Sequence, residues 1–593
     1  MHIRSIPFGI FASIVLSLCL AGVTRGQEYK YGPDSEPHDV PHGKVEKGEI
    51  VSSKAYPGAH HDYWVYVPAQ YDGKTPAAVM VFNDGGGFQN AKGAFRVPVV
   101  FDNLIAKKEM PVTIAIMVNP GIIAAADEKT QLPRYERSFQ YDAVSDRYSR
   151  FLVEELLPKV AETYKLTDDP NLRGIGGSSS GGIAAFVAAW ERPDIFHRVL
   201  STIGSFGNLR GGNVLADLIR KTEPKPLRVF QQDGEKDVDI YAGSWPIANR
   251  DIAAALEFAG YQHRFDLGTT SHDSKQSGPL FPEALKWLWQ DYDKPIVAGA
   301  NPKQPVMEVL LPDEKWKLVS EGHKFTEGPA ADSEGNVYFS DIPASQIWKI
   351  PAEGKPAIFA ENTNGNNGLK IGPDGRLYGC QSKANRVVAY DIKTAKETVL
   401  AEGIHECNDL AIDHNGDIYV TEPPMSQVWH ISPTGEKKIV IEKKAGIQFP
   451  NGIGFTPDQS QLVIDDTRGV NFSICQVNPD GSVSHGAPYF SAQLLPMEHD
   501  SGADGLCFDS QGRLYVTTHL GLQIFDQAGR VIGIINKPQE AKVKNYWLSN
   551  VTFGGKELTD LYITCGPNVY RRKVKVKGVL GFEAPSKPEK PRL

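Results

Sequence analysis

Cysteine is scarce in this chain, with six in 593 residues. One, Cys19, lies in the first apolar run, and the other five, Cys380, Cys407, Cys475, Cys507 and Cys565, all fall in the second half. An odd number cannot pair completely, and no C-x-x-C occurs, so neither a disulfide framework nor a thiolate zinc site is indicated. Free thiols in apolar strands are the expected reading. No block of Lys and Arg stands out, and the formal net charge is −8. That balance argues against nucleic acid or an anionic membrane as partner. Beyond the N-terminus, no apolar run is long enough to span a bilayer.

That N-terminus has the layout of an export signal. His2 and Arg4 precede an apolar run from Phe8 to Leu20, and Thr24 and Gly26 stand at −3 and −1 of a cut before Gln27. Residues 1–26 are therefore expected to be a signal peptide and the protein to be secreted or periplasmic, without membrane attachment after cleavage. Residues 27–50 mix Pro, Gly and charge and read as a loose lead-in.

At ~100–250 residues per domain, this length calls for two or three domains. From 51 to 293, short apolar runs (Trp64–Val67, Ala77–Phe82, Val112–Val118, Arg228–Gln231) alternate with helical patterns such as Tyr148–Thr163 and Gly182–Glu191. Alternation of this kind implies an α/β/α sandwich with a largely parallel sheet. Pro295, Pro302, Pro305 and Pro312 then mark a linker over 294–312. Beyond it the helices stop and a repeat begins, a turn followed by an apolar-aromatic strand, around Gly335, Gly375, Gly416, Pro457, Gly512 and Gly555. The first glycines are spaced 40 and 41 residues apart. Six such units over 313–578 predict an all-β, six-bladed propeller. The Pro/Lys-rich tail, 579–593, reads as disordered.

In the first domain Gly177-Ser178-Ser179-Ser180-Gly181 fits G-x-S-x-G after the strand-like Leu172–Ile175 and before an Ala-rich helix. A sharp strand-to-helix turn exposes the central hydroxyl, which makes Ser179 the nucleophile unless the turn is shifted to Ser178 or Ser180. A serine hydroxyl needs a base and an orienting acid. In chain order Ser, acid, His, these are Asp237 and His272, with Asp233, Glu235 and Asp239 as alternative acids and His263 as a rival base. The loop Asn83-Asp84-Gly85-Gly86-Gly87 would supply one oxyanion N–H, from Gly85 or Gly86, and Ser180 the other. No cofactor is expected in this half.

In the second domain Glu327, Asn408, Asn451 and Asp504 all sit just ahead of a blade's repeat turn. Equivalent blade positions converge on the central channel. Two carboxylates and two amides there would form a hard oxygen site for Ca²⁺, Mg²⁺ or Mn²⁺, tolerating Zn²⁺. Each residue taken singly is an ordinary turn residue; it is the set in register that points to a ligand.

With Ile175 to Gly182, Arg192-Pro193-Asp194-Ile195-Phe196 and Gln232-Asp233-Gly234 running to Asp237, residues 50–290 resemble the enterochelin-esterase-like α/β hydrolases. The resemblance implies acyl-ester hydrolysis through an acyl-enzyme; Thr269-Thr270-Ser271 before His272 departs from the small, often Gly-containing stretch usual there. Residues 313–575 resemble the gluconolactonase/regucalcin-like family through Thr-Glu327-Gly-Pro, Asn408-Asp409, Pro-Asn451-Gly, Ala-Asp504-Gly and Asn367-Gly368-Leu369. The resemblance implies Glu327, Asn451 and Asp504 as metal ligands, with Asp504 also a base. Asn408 would contact metal or substrate, and Asn367 substrate. The expected partners are a sugar lactone or an acylated sugar. Two rival readings are a propeller that only docks the esterase to a polysaccharide or protein, and a degenerate esterase that only binds sugar.

Overall fold

A computed structural model describes residues 28–591; the expected signal segment lies outside the described residues. The first domain is built on an eight-stranded sheet, β1 (Lys44–Ile50), β2 (His61–Val67), β3 (Ala78–Asn83), β4 (Thr113–Val118), β5 (Arg173–Ser178), β6 (Arg198–Thr202), β7 (Arg228–Gly234) and β8 (Gln262–Gly268). Its order is β1-β2-β4-β3-β5-β6-β7-β8. The first two strands pair antiparallel, as do β2 and β4, and the rest run parallel. Strands β3, β4 and β6 are buried along their whole length, which suits a sheet covered on both faces. One face packs helices α2 (Ser180–Glu191), α3 (Leu215–Lys221) and α4 (Trp245–Phe258), and the other α1 (Val97–Ala106) and α5 (Ser277–Trp289). The α/β/α sandwich expected from sequence is therefore present.

Six four-stranded sheets follow. Their innermost strands are Thr326–Ala331, Asn366–Ile371, Leu410–Ile412, Pro450–Phe455, Leu506–Phe508 and Leu548–Gly554, for blades 1 to 6. Blade 6 takes its outermost strand, Lys317–Ser320, from the start of the domain, where it pairs with Asn568–Lys573. This closes the ring and leaves no unpaired edge at the seam.

Three segment readings differ from the structure. The lead-in 27–50 is ordered from residue 28: it holds β1, and Arg96 Nη1 donates to Glu36 Oε1 at 2.8 Å. The linker 294–312 is packed, with Val306, Met307, Val309 and Leu310 in the propeller core and Gln304 Nε2 donating to the carbonyl of Thr222 at 2.7 Å. The tail 579–593 is built onto the propeller at its near end. Val579, Leu580 and Phe582 join blade clusters, and Ser586 N–H donates to the carbonyl of Pro457 at 2.9 Å. This segment closes a cavity of about 160 Å³ at the lower end of the channel, lined by Ala330, Lys370, Ala411, Gly454, Cys507 and Thr552, one from each innermost strand.

Candidate active sites

In the first domain the chain leaves β5, turns at Ser179 and enters α2. Ser179 has φ 59° and ψ −124°, a conformation that costs about 1–3 kcal/mol and persists only where its surroundings enforce it. They do: Ser179 N–H donates to the carbonyl of Thr202, and Asn83 Nδ2 to the carbonyl of Gly181. Gly177 has to be glycine, because a Cβ there would lie 2.3 Å from the Gly181 carbonyl oxygen.

The strained turn presents Ser179 Oγ to His272 Nε2 at 2.8 Å. On the other edge of that ring, Nδ1 lies 2.6 Å from Asp237 Oδ1. Trp245 packs edge-on against the imidazole. Of the rival residues, His263 is tied to Gln231 Oε1 at 2.9 Å, and burial pushes it down to about 4. Glu235 is exposed and faces Arg250, and Asp239 is exposed on a hairpin. Asp233 lies behind Asp237. Burial, and then the hydrogen bond and charge of Asp237, push it up to about 8. Burial also raises Asp237, but the hydrogen bonds from His272, Asp233 and the Val238 N–H outweigh it and hold that carboxyl below its ordinary value. The pair is therefore unequal: Asp233 keeps a proton and Asp237 carries the charge facing His272.

Of the loop amides, Gly86 N–H donates to Asn119 Oδ1 at 2.9 Å and Gly87 N–H to the Asp84 carbonyl at 2.9 Å. Asp84 N–H faces Tyr141 Oη. The expectation for Gly86 is thus corrected: its amide is committed to Asn119. Among the described residues, the amides of Gly85 and Ser180 have no acceptor.

In the propeller, Glu327, Asn367, Asn408, Asn451 and Asp504 each stand eight residues before the left-handed residue of their blade's first turn, Gly335, Gly375, Gly416, Gln459 and Gly512. They therefore share one register at the start of five innermost strands. The next position carries Gly328, Gly368, Asp409, Gly452 and Gly505. Blades approach closely there: a Cβ on Gly452 would lie 2.6 Å from the Asp504 carbonyl oxygen. Asp504 Oδ2 accepts from Trp547 Nε1 at 2.5 Å. Asn451 Nδ2 donates to Thr467 Oγ1 at 3.0 Å, which leaves Oδ1 buried and without a partner. Asn367 Oδ1 is likewise buried and unpartnered. Asn408 is half-buried at the same level.

Three residues that the sequence reading gave no role join this group. Asp409 and Glu327 both accept from Asn550 Nδ2, at 3.4 and 3.2 Å. Asp465 accepts from Gly452 N–H at 2.9 Å, with Oδ2 buried and unpartnered. A signal for Asp465 was present. It stands at the strand end where other blades carry Ser340, Thr421 and Thr517, whose hydroxyls donate to the next blade's carbonyls. Burial, and then the charge of Asp409, push Glu327 up to about 7. Burial, followed by Glu327 and Asp465, raises Asp504 well above its ordinary value, and Asp465 is raised in the same way by burial and its acidic neighbours. Crowded buried carboxylates and unpartnered amide oxygens are the donor set that a hard cation satisfies. By contrast, in the group Glu49, His60 and Asp62 the first side chain is exposed and the other two are half-buried, and Lys47 already pairs with Asp62 at 3.0 Å.

Comparison with known proteins finds a different family in each half of the chain. Residues 55–236 match the Esterase family, and residues 325–566 match the SMP-30/Gluconolactonase/LRE-like region. A gluconolactonase of Zymomonas mobilis is 27% identical over 314 residues, covering 46% of this chain and 82% of that one. The diisopropyl-fluorophosphatase of Loligo vulgaris is 23% identical over 253 residues, covering 35% and 77%. The iron(III) enterobactin esterase of Dickeya dadantii is 29% identical over 150 residues, covering 23% of this chain and 33% of its own length.

Proposed function

We propose that this chain, a hydrolase joining an esterase domain to an SMP-30/gluconolactonase/LRE-like propeller, is an exported enzyme that cleaves an acyl ester at Ser179 and opens a sugar lactone at a divalent cation in the propeller. The observation that carries the reading is the unbroken line from Ser179 Oγ through His272 to Asp237, at 2.8 and 2.6 Å. In it Ser179 attacks the acyl carbonyl while His272 Nε2 takes its proton. The amides of Ser180 and Gly85 hold the oxyanion. His272 then returns the proton to the departing alcohol, and a water, deprotonated by the same imidazole, releases the acid from Ser179.

In the propeller Glu327, Asn451 and Asp504 would hold the cation, and the unpartnered Oδ1 of Asn451 beside two buried, mutually repelling carboxylates fits one. Once bound, a divalent ion polarises the lactone carbonyl as a Lewis acid. Asn367 and Asn408 would take hydroxyls of a sugar ring. Asp504 would accept the proton of the attacking water through Oδ1, since Oδ2 is held by Trp547.

The test is gluconolactone opening followed by pH-stat on Ser179→Ala, with and without a chelator, beside release of an acyl group from an acylated sugar. The expected outcome is chelator-sensitive lactone opening that survives the substitution, and ester cleavage that falls to background. Lactone opening that ignores the chelator would count against the cation, and ester cleavage undiminished by Ser179→Ala would count against the serine. Export is tested by fractionation, where a mature N-terminus at Gln27 is expected.

A further inference from the structure

The loop Asn536–Trp547 links the outermost strand of blade 5 to the innermost strand of blade 6 and carries a short helix, Gln539–Val543. Although it belongs to the propeller, it is fastened to the esterase domain. Asn536 donates through its N–H to Glu223 Oε2 at 3.2 Å and through Nδ2 to the Glu223 carbonyl at 3.0 Å. Gln539 Nε2 donates to Asp194 Oδ1 at 2.8 Å. Lys542 Nζ lies 2.9 Å from Glu191 Oε2, both side chains being largely buried. The helix is tied to the end of the loop by Tyr546 N–H, which donates to the Ala541 carbonyl at 2.8 Å. The next residue is Trp547, whose Nε1 reaches Asp504 Oδ2 at 2.5 Å and whose ring packs edge-on against His519.

We propose that the esterase domain is a structural part of the propeller's site: Glu191, Asp194 and Glu223 hold the loop that delivers Trp547, and Trp547 fixes the carboxylate of Asp504. The inference rests on the reading of Asp504 as a cation ligand. Its logic is that of any partner behind a metal ligand. A donor on one carboxylate oxygen sets the rotamer and leaves the other oxygen aimed, and losing such a donor typically weakens metal binding ~10–100-fold. Trp547 and Lys542 are positioning residues here, since neither would touch the ion.

The experiment is calorimetric titration of the full chain with Ca²⁺ alone, repeated with Mg²⁺, Mn²⁺ and Zn²⁺. Trp547→Phe keeps the ring and removes the N–H, and is expected to weaken binding ~10–100-fold. Lys542→Met should weaken it in the same direction, with Lys542→Arg restoring it. In the Trp547→Phe background, Lys542→Met should add nothing further. Labelling of Ser179 by an active-site serine probe at the wild-type rate shows that the esterase domain of each variant is folded. Wild-type affinity in Lys542→Met or in Trp547→Phe overturns the proposal. So does a Lys542→Met effect that persists undiminished without the indole N–H, which would mark general destabilisation. A wild-type chain that binds none of the four ions removes the cation reading itself.

Discussion

Two carboxyls stand behind His272, and their difference is open to measurement. Asp237 carries the charge that orients the imidazole, so Asp237→Asn should lower ester turnover on the order of 10⁴-fold through the wrong tautomer. Asp233 already holds a proton at neutral pH, so Asp233→Asn replaces a neutral group by a neutral one and should leave turnover within a few-fold. Its effect falls on stability. In the folded protein Asp233 keeps its proton up to about pH 8, whereas the ordinary value is 3.8. Between those values folding takes up a proton, so stability falls as the pH rises through that window. Asp233→Asn should remove this slope, so that the variant gains about 4 kcal/mol on the wild type between pH 5 and pH 8. Urea unfolding at pH 5 and pH 8 measures it; an unchanged pH slope would show that Asp233 is ionised in the fold.

At the scale of a turn, blade 4 departs from its repeat. Gln459, at φ 54°, stands where blades 1, 2, 3 and 5 carry Gly335, Gly375, Gly416 and Gly512. A left-handed non-glycine residue costs roughly 1–2 kcal/mol, and here the side chain offsets it. Gln459 Nε2 donates to the carbonyls of Gly581 and Glu583 at 2.8 and 3.0 Å, fastening the C-terminal segment under the channel. Gln459→Gly should therefore change the unfolding midpoint little while amides of 579–586 exchange with solvent about tenfold faster by mass spectrometry. Exchange at the wild-type rate would mean that the apolar contacts alone hold the segment.

Such elements also mark what was readable from sequence. The blades were legible because each must repeat one turn and one strand pattern, and Ser179, Asp237 and His272 because chain order and the G-x-S-x-G turn constrain them. The strand β1 was not, since it is an edge strand exposed over most of its length and shows no apolar alternation. The floor segment depends on only Val579, Leu580 and Phe582, too few for a periodic signal. Which glycine amide remains free depends on Asn119, a side chain 33 residues from Gly86. Trp547 lies 43 residues from Asp504, beyond the reach of any local pattern.

On the scale of the whole molecule, the two domains are joined by more than the chain between them. Glu223 N–H donates to the Ile534 carbonyl at 2.8 Å, and Thr222 bridges Ile534 in parallel, so the esterase covers the outermost strand of blade 5. Ile534 is counted in the esterase's own core cluster. Beside it Arg572 donates from both Nη atoms to the Glu223 carboxylate, at 3.0 and 2.8 Å, with 2% and 9% of the two side chains exposed. Arg572 lies on the strand of blade 6 that pairs with Lys317–Ser320, so the ion pair couples ring closure to domain docking. Removing one partner of such a buried pair leaves the other charge uncompensated, at about 3–5 kcal/mol. Arg572→Met should therefore split a single calorimetric unfolding transition into two, because the domains lose the contact that makes them unfold together. Glu223→Gln, which keeps one of the two accepting oxygens but leaves the Arg572 charge unpaired, should act in the same direction. Two separate transitions in the wild-type chain would instead mean that the domains are energetically independent, and that the loop carrying Trp547 is held by the propeller alone.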